Sequence, residues 1–174
     1  MKRIIAIVLC VLLLSFCGCS TAQDETAAAE AKDYLETQLD IFKNAGKADV
    51  DEVISNPEES LGGVNLSLYY KYLDYTIGKC SATDDSAKIE VTIKNLDFAT
   101  LMEDYYKALE PYYLKSTYDP EEPGRIFEKL VNSGKYKMLE NTSTIELTKK
   151  DGKWSVDDPE AFALALMPGV EPIF

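Results

Sequence analysis

The chain has 174 residues and a formal charge of -12, from 30 acidic against 18 basic side chains. A surface so acidic repels phosphate backbones and anionic headgroups, which argues against nucleic acid as a partner. Histidine is absent, and that removes Ser-His-Asp and Cys-His catalysis and imidazole metal sites together. Three of the four cysteines, Cys10, Cys17 and Cys19, crowd the N-terminus. Cys80 therefore stands alone in the body of the chain, where no disulfide framework can form. A lone strand cysteine reads as a small buried hydrophobe.

Met1-Lys2-Arg3 precede an apolar run from Ile4 to Phe16, which ends in Cys17-Gly18-Cys19-Ser20. Two positive charges, a short apolar segment and small residues make a secretory signal. The run falls short of the roughly 20 residues a membrane-spanning helix needs. Its ending resembles the lipobox of bacterial lipoproteins. Cys19 fits best, with Gly18 before it and Ser20 after it. Cys17 is the alternative: Leu14 lies three residues upstream, but bulky Phe16 occupies the cleavage position. The resemblance implies a signal peptide over 1–18, diacylglycerol on Cys19 and a mature chain held at the extracytoplasmic face of the cell membrane. Two acyl chains, at about 0.8 kcal/mol per buried methylene, suffice for stable anchoring. The plainer reading is an ordinary signal peptide with Cys19 incidental to it. Residues 19–25 then read as a tether, and 26–174 as a single domain long enough to bury a core without staples.

In chain order, a helix is predicted from Thr26 to Asn44, with Ala28, Ala31, Leu35, Leu39 and Phe42 recurring at three and four. Gly46 closes it. Asp49 and Glu52 look like a capping box for a short second helix carrying Val53 and Ile54 and ending before Pro57. A loop follows over 57–63, then a helical turn or two between Asn65 and Tyr72. From Leu73 the period becomes two: Leu73, Tyr75 and Ile77 alternate with Asp74, Thr76 and Gly78 in a strand reaching Ala82. After a turn at Asp84-Asp85-Ser86, Ile89, Val91 and Ile93 alternate with Glu90, Thr92 and Lys94. This pair reads as an antiparallel hairpin, packed on one face and wet on the other. Helical spacing returns from Leu96 to Leu109, with Pro111 as its end. The prolines of Tyr118 to Gly124 predict a loop, and Arg125 to Asn132 a helix with Ile126, Phe127, Leu130 and Val131 inward.

The most legible unit is the last hairpin. Ile145 and Leu147 alternate with polar residues, and Asp151-Gly152 then separates them from Trp154-Ser155-Val156. Asp-Gly suits a type I′ turn, because both residues tolerate positive φ. A two-residue loop pairs Leu147 with Val156 and Lys149 with Trp154, so the indole can lie along the lysine stem. Asp158 as N-cap and Pro159 at the first helical position open a final helix. Its Ala161 to Met167 stretch is nearly all apolar, so it either fills the core or docks a partner. Pro168-Gly169 stops it.

Helices first, then long antiparallel strands with helices inserted, give an α+β layout. The lipobox, Tyr75-Thr76-Ile77-Gly78-Lys79, the Ile89 to Asn95 strand and the Trp154 hairpin together resemble a group of uncharacterised bacterial lipoproteins common in Gram-positive bacteria. Their domains look nuclear transport factor 2-like (cystatin-like). The resemblance implies a curved antiparallel sheet packed on helices around a cone-shaped cavity. Some members of that fold are enzymes using a carboxylate and a tyrosine there, and others are binding modules or dimers.

Tyrosines cluster at 69, 70, 72 and 75 and again from 105 to 118. Tyr72, Tyr75 and Tyr105 are the candidates for a pocket, an aromatic body with a polar tip being suited to one, although tyrosine also simply packs at margins. Asp74 invites an acid-base role, yet alternation puts it on the face opposite Leu73, Tyr75 and Ile77. Asp84-Asp85 and Asp157-Asp158 lack the spacing of a calcium loop, and Gly62-Gly63 lacks the context of a phosphate loop. No catalytic residue, metal ligand or cofactor is assigned. The expected function is a non-enzymatic, lipid-anchored module binding a protein or a small apolar ligand. The alternative is a cavity enzyme with a buried carboxylate and tyrosine. A transporter's solute receptor would need two lobes and a longer chain.

Overall fold

The computed structural model describes residues 22–44, 64–114 and 119–170. The expected signal peptide over 1–18, Cys17 and Cys19, the expected capping box at Asp49 and the expected loop over 57–63 lie outside the described residues.

Helix α1, Ala22–Asn44, begins one turn before Thr26, inside the expected tether. Asp24 and Glu25 stand in its first turn and Lys43 in its last, each complementing the helix dipole. Its Ala31, Leu35 and Leu39 are fully buried. Helix α2 is the single turn Ser67–Tyr70. Strands β1 (Asp74–Ala82) and β2 (Ser86–Leu96) follow, then α3 (Phe98–Tyr113) and α4 (Glu122–Val131). Strands β3 (Met138–Lys150) and β4 (Lys153–Val156) and helix α5 (Pro159–Ala165) complete the order. The four strands form one antiparallel sheet, in the order β1-β2-β3-β4, packed on helices. The fold is α+β.

Alternation decides which side of the sheet is dry. Ile89, Val91, Ile93 and Leu147 are fully buried against α1, α2 and α5, in a cluster with Leu35, Leu39, Tyr69 and Leu166. The opposite face is polar. Lys88 pairs with Glu146 at 2.6 Å and Lys94 with Glu140 at 3.1 Å. Thr76, Thr92 and Thr142 fall in one row across three strands, with the last two hydroxyls bonded at 2.9 Å.

Strand β1 is not the uninterrupted strand that alternation predicts. Ile77 opposes Val91 and Cys80 opposes Ile89, so β1 carries one extra residue there. This bulge turns Cys80 and Ala82 inward, where simple alternation would have placed Lys79. A side chain on Gly78 would meet Glu90 Oε1 at 2.9 Å and its backbone oxygen at 3.2 Å, so glycine lets the two strands approach closely at the bulge.

Two proline readings change as well. Pro111 lies inside α3, which continues to Tyr113. The buried Tyr112 anchors that last turn, its hydroxyl donating to the Asp119 carbonyl at 2.7 Å, and this packing outweighs the lost backbone bond. Pro123 and Gly124 belong to α4 rather than to a loop, because proline is welcome in a first helical turn. Arg125 holds that turn by ion pairs to Asp119, Glu121 and Glu122.

The last hairpin follows the predicted register, with Leu147 opposite Val156 and Lys149 opposite Trp154. Asp151 at φ 52° and Gly152 at φ 76° make the type I′ turn. Strand β3 runs much further back than its apolar alternation signals, to Met138. Its first half is polar because most of its side chains there are exposed.

Candidate functional site

The three candidate pocket tyrosines occupy different settings. Tyr72 follows α2 and is half-buried, with Lys71 Nζ 5.0 Å from its ring centre. Tyr75 sits at the start of β1 beneath α1. Its hydroxyl donates to Asp40 Oδ1 at 2.7 Å, and Lys43 Nζ lies 5.4 Å from its ring centre. Tyr105 is buried on α3, edge-on to Phe127 of α4 at 5.6 Å. Two surface pockets, of about 270 and 320 Å³, lie beside β3. None of the three tyrosines lines either one.

Two tyrosine–carboxylate pairs do form among the described residues, with neither carboxylate buried: Tyr75 with Asp40, and the buried Tyr136 with Asp104 at 3.2 Å. Desolvation and the acceptor carboxylate raise the Tyr136 hydroxyl to about 12 and push that of Tyr75 higher still. Both phenols keep their protons at neutral pH. A general acid or base works best near the operating pH, and neither is tuned that way. Asp74 is exposed and bonds Lys43 at 2.9 Å. That hydrogen bond and charge hold its carboxyl below the usual range. The pair ties the end of α1 to the start of β1.

At the other end of α1, Glu30 pairs with Lys149 at 2.5 Å, and Lys149 Nζ lies 5.4 Å from the centre of the Trp154 ring. The lysine thus bridges α1 to the last hairpin. Trp154 Nε1 is buried near Glu30 without a well-aligned acceptor among the described residues. Cys80 is half-buried, its thiol 3.8 Å from the Ala28 carbonyl and its pKa raised by desolvation. Such a thiol is a poor nucleophile.

Inside the core, the polar groups serve to pin elements together. Asn95 is the buried polar residue among the described residues. Its side chain donates to the Leu166 carbonyl at 3.5 Å and accepts from the Leu96 amide at 2.9 Å. The Tyr69 hydroxyl donates to the Leu96 carbonyl at 3.0 Å. The Phe98 amide donates to the Pro168 carbonyl at 3.0 Å. The segment after α5 is thereby fixed to the end of β2 and the start of α3. Sequence periodicity missed this pin, although Asn95 within an otherwise clean strand was its one visible signal. Among the described residues, no group of three or more Cys, Asp and Glu side chains is placed to hold a metal ion. No helix among them is long and apolar enough to cross a membrane.

No protein-family model matches the chain, and no curated protein does. One solved structure that aligns with it is that of a putative lipoprotein (ycdA) from Bacillus subtilis. The identity is 19% and the TM-score 0.42, over 79% of this chain and 45% of that one. The chain spans less than half of that protein's length, and a likeness at this level transfers no function.

Proposed function

We propose that this is a lipid-anchored protein of the cell envelope, held at the extracytoplasmic face through Cys19, whose domain binds a partner by its surface and is not a cavity enzyme. The location rests on Lys2-Arg3, the apolar run to Phe16 and Gly18-Cys19-Ser20. The observation that carries the binding reading is the filled helix side of the sheet. Leu35, Leu39, Tyr69, Val91 and Leu166 are fully buried there, and no carboxylate among the described residues is buried with them. A nuclear transport factor 2-like (cystatin-like) arrangement belongs to the same proposal, with its cone occupied by side chains.

Mass spectrometry of the mature N-terminus tests the anchoring. Diacylglycerol on Cys19 is the expected result, and Cys19→Ala should leave the chain unlipidated and either uncleaved or released from the membrane fraction. Lipid on Cys17, or none at all, overturns the assignment.

A further inference from the structure

Strand β3 is paired along one flank and, among the described residues, over only part of the other. Toward β2 it is paired along its whole length, from Met138 opposite Leu96 to Thr148 opposite Ser86. On the other flank β4 covers only Leu147 to Lys150, and the Asp157 amide extends the pairing to the Glu146 carbonyl. The direction of each peptide group follows from these bonds. The Lys149 amide and the Lys137 carbonyl point toward the β2 side, bonding Asp85 and Asp97. Odd-numbered residues therefore bond β2. The peptide groups of Glu140, Thr142 and Thr144 point outward, and no described residue pairs with them.

A free strand edge is normally blunted by lysine, proline or a bulge. The β1 edge has its bulge beside Lys79. The β3 window from Leu139 to Ile145 has no lysine, proline or bulge, and Glu140, paired with Lys94 of β2, is its one charged residue.

We infer that this window pairs antiparallel with the same window of a second copy of the chain, about a twofold axis through Thr142. This inference is independent of the anchoring proposal. The side chains select the partner and the register. With Thr142 opposite its own copy, Glu140 faces Thr144, Asn141 faces Ser143 and Leu139 faces Ile145. Apolar meets apolar, polar meets polar, and no like charges oppose, as favourable cross-strand pairing requires. Shifting the axis to Ser143 would set Glu140 against Glu146, an unfavourable contact for a chain of charge -12. The window ends where Asp157 takes the Glu146 carbonyl, so the seven-residue match is bounded on both sides by the fold itself. Beside Ile145 lies the pocket of about 320 Å³, lined also by Val156, Ala161 and Phe162, which the opposing Leu139 would enter. An axis of this kind stands perpendicular to the sheet, so both α1 helices stay on one face and both chains can be tethered to one membrane.

Light scattering of the purified full chain in detergent, at tens of micromolar, tests this. A dimer is expected. Thr142→Pro removes an outward amide that no described residue of the monomer uses and should give a monomer with an unchanged fold by circular dichroism. Thr142→Val keeps that amide, loses the same bond to Thr92, and should remain dimeric. A monomeric wild type overturns the inference, since the edge then awaits another occupant. A dimer that survives Thr142→Pro overturns it equally, since the contact then lies on another surface.

Discussion

The two faces of the sheet are made from the same strands and answer to different physics. On the helix side, Ile89, Val91 and Ile93 are fully buried, and their fit against α1, α2 and α5 fixes the fold. On the other side, Lys88, Glu90 and Lys94 stand exposed, beside the row of Thr76, Thr92 and Thr142. A side chain's face, more than its type, therefore sets what its loss costs. Function in this molecule is expected on the wet face and the edges, because the dry face is already full.

The largest effects should come from opening the dry face. Leu166 is fully buried, and Leu166→Ala should cost about 2–5 kcal/mol. Deleting residues 159–174 removes Phe162, Ala165 and Leu166 together and should abolish the cooperative urea transition. A truncated chain that unfolds like wild type would make α5 a docking segment and break the contrast between the faces.

Intermediate effects should come from the turn that joins the faces' best-defined strands. Gly152→Val places a β-branched residue at φ 76°, at a cost of about 1–3 kcal/mol. Lys150→Val should be milder, since Lys150 already pairs with Lys153 in strand geometry. Equal melting temperatures for Gly152→Val and wild type would contradict the turn.

The smallest effect should come from an exposed pair. Hydrogen bonding and charge from Lys43 hold the Asp74 carboxyl below its ordinary value, so the folded pKa lies under the unfolded one. The pair's contribution is then present above about pH 4 and is lost as pH falls through the folded value. With side chains 40% and 67% exposed, it should amount to less than about 1 kcal/mol. Lys43→Met should flatten the acid limb of stability against pH by that small amount. A larger change would mean the pair is less solvated than its exposure implies.

What could be read from the sequence was what is local. Asp151-Gly152 specifies its own turn, and Asp158-Pro159 its own helix start, with the Asp158 side chain accepting from the Ala161 amide at 2.9 Å. The alternation of Ile89, Val91 and Ile93 names the buried face without reference to anything else. The bulge after Ile77 was hidden because it is set by register with β2, and Gly78 was the only hint. Pro111 was misleading because a contact beyond the helix, Tyr112 to Asp119, holds the helix past it. The polar half of β3 gave no strand signal, since its strand character comes from its partner. Of the candidate tyrosines, Tyr75 and Tyr105 acquired partners from α1 and α4 that no spacing within their own segments could indicate.

Native-state amide hydrogen exchange tests the filled dry face most directly. The Phe98 amide, bonded to the Pro168 carbonyl, reports whether the segment after α5 stays in place. The Val91 amide reports opening of the sheet core. If the dry face is closed by that segment, the two should exchange with the same free energy, that of global unfolding. Exchange at Phe98 that is orders of magnitude faster, with Val91 still protected, would show that the segment leaves on its own and opens a cavity, contradicting the account.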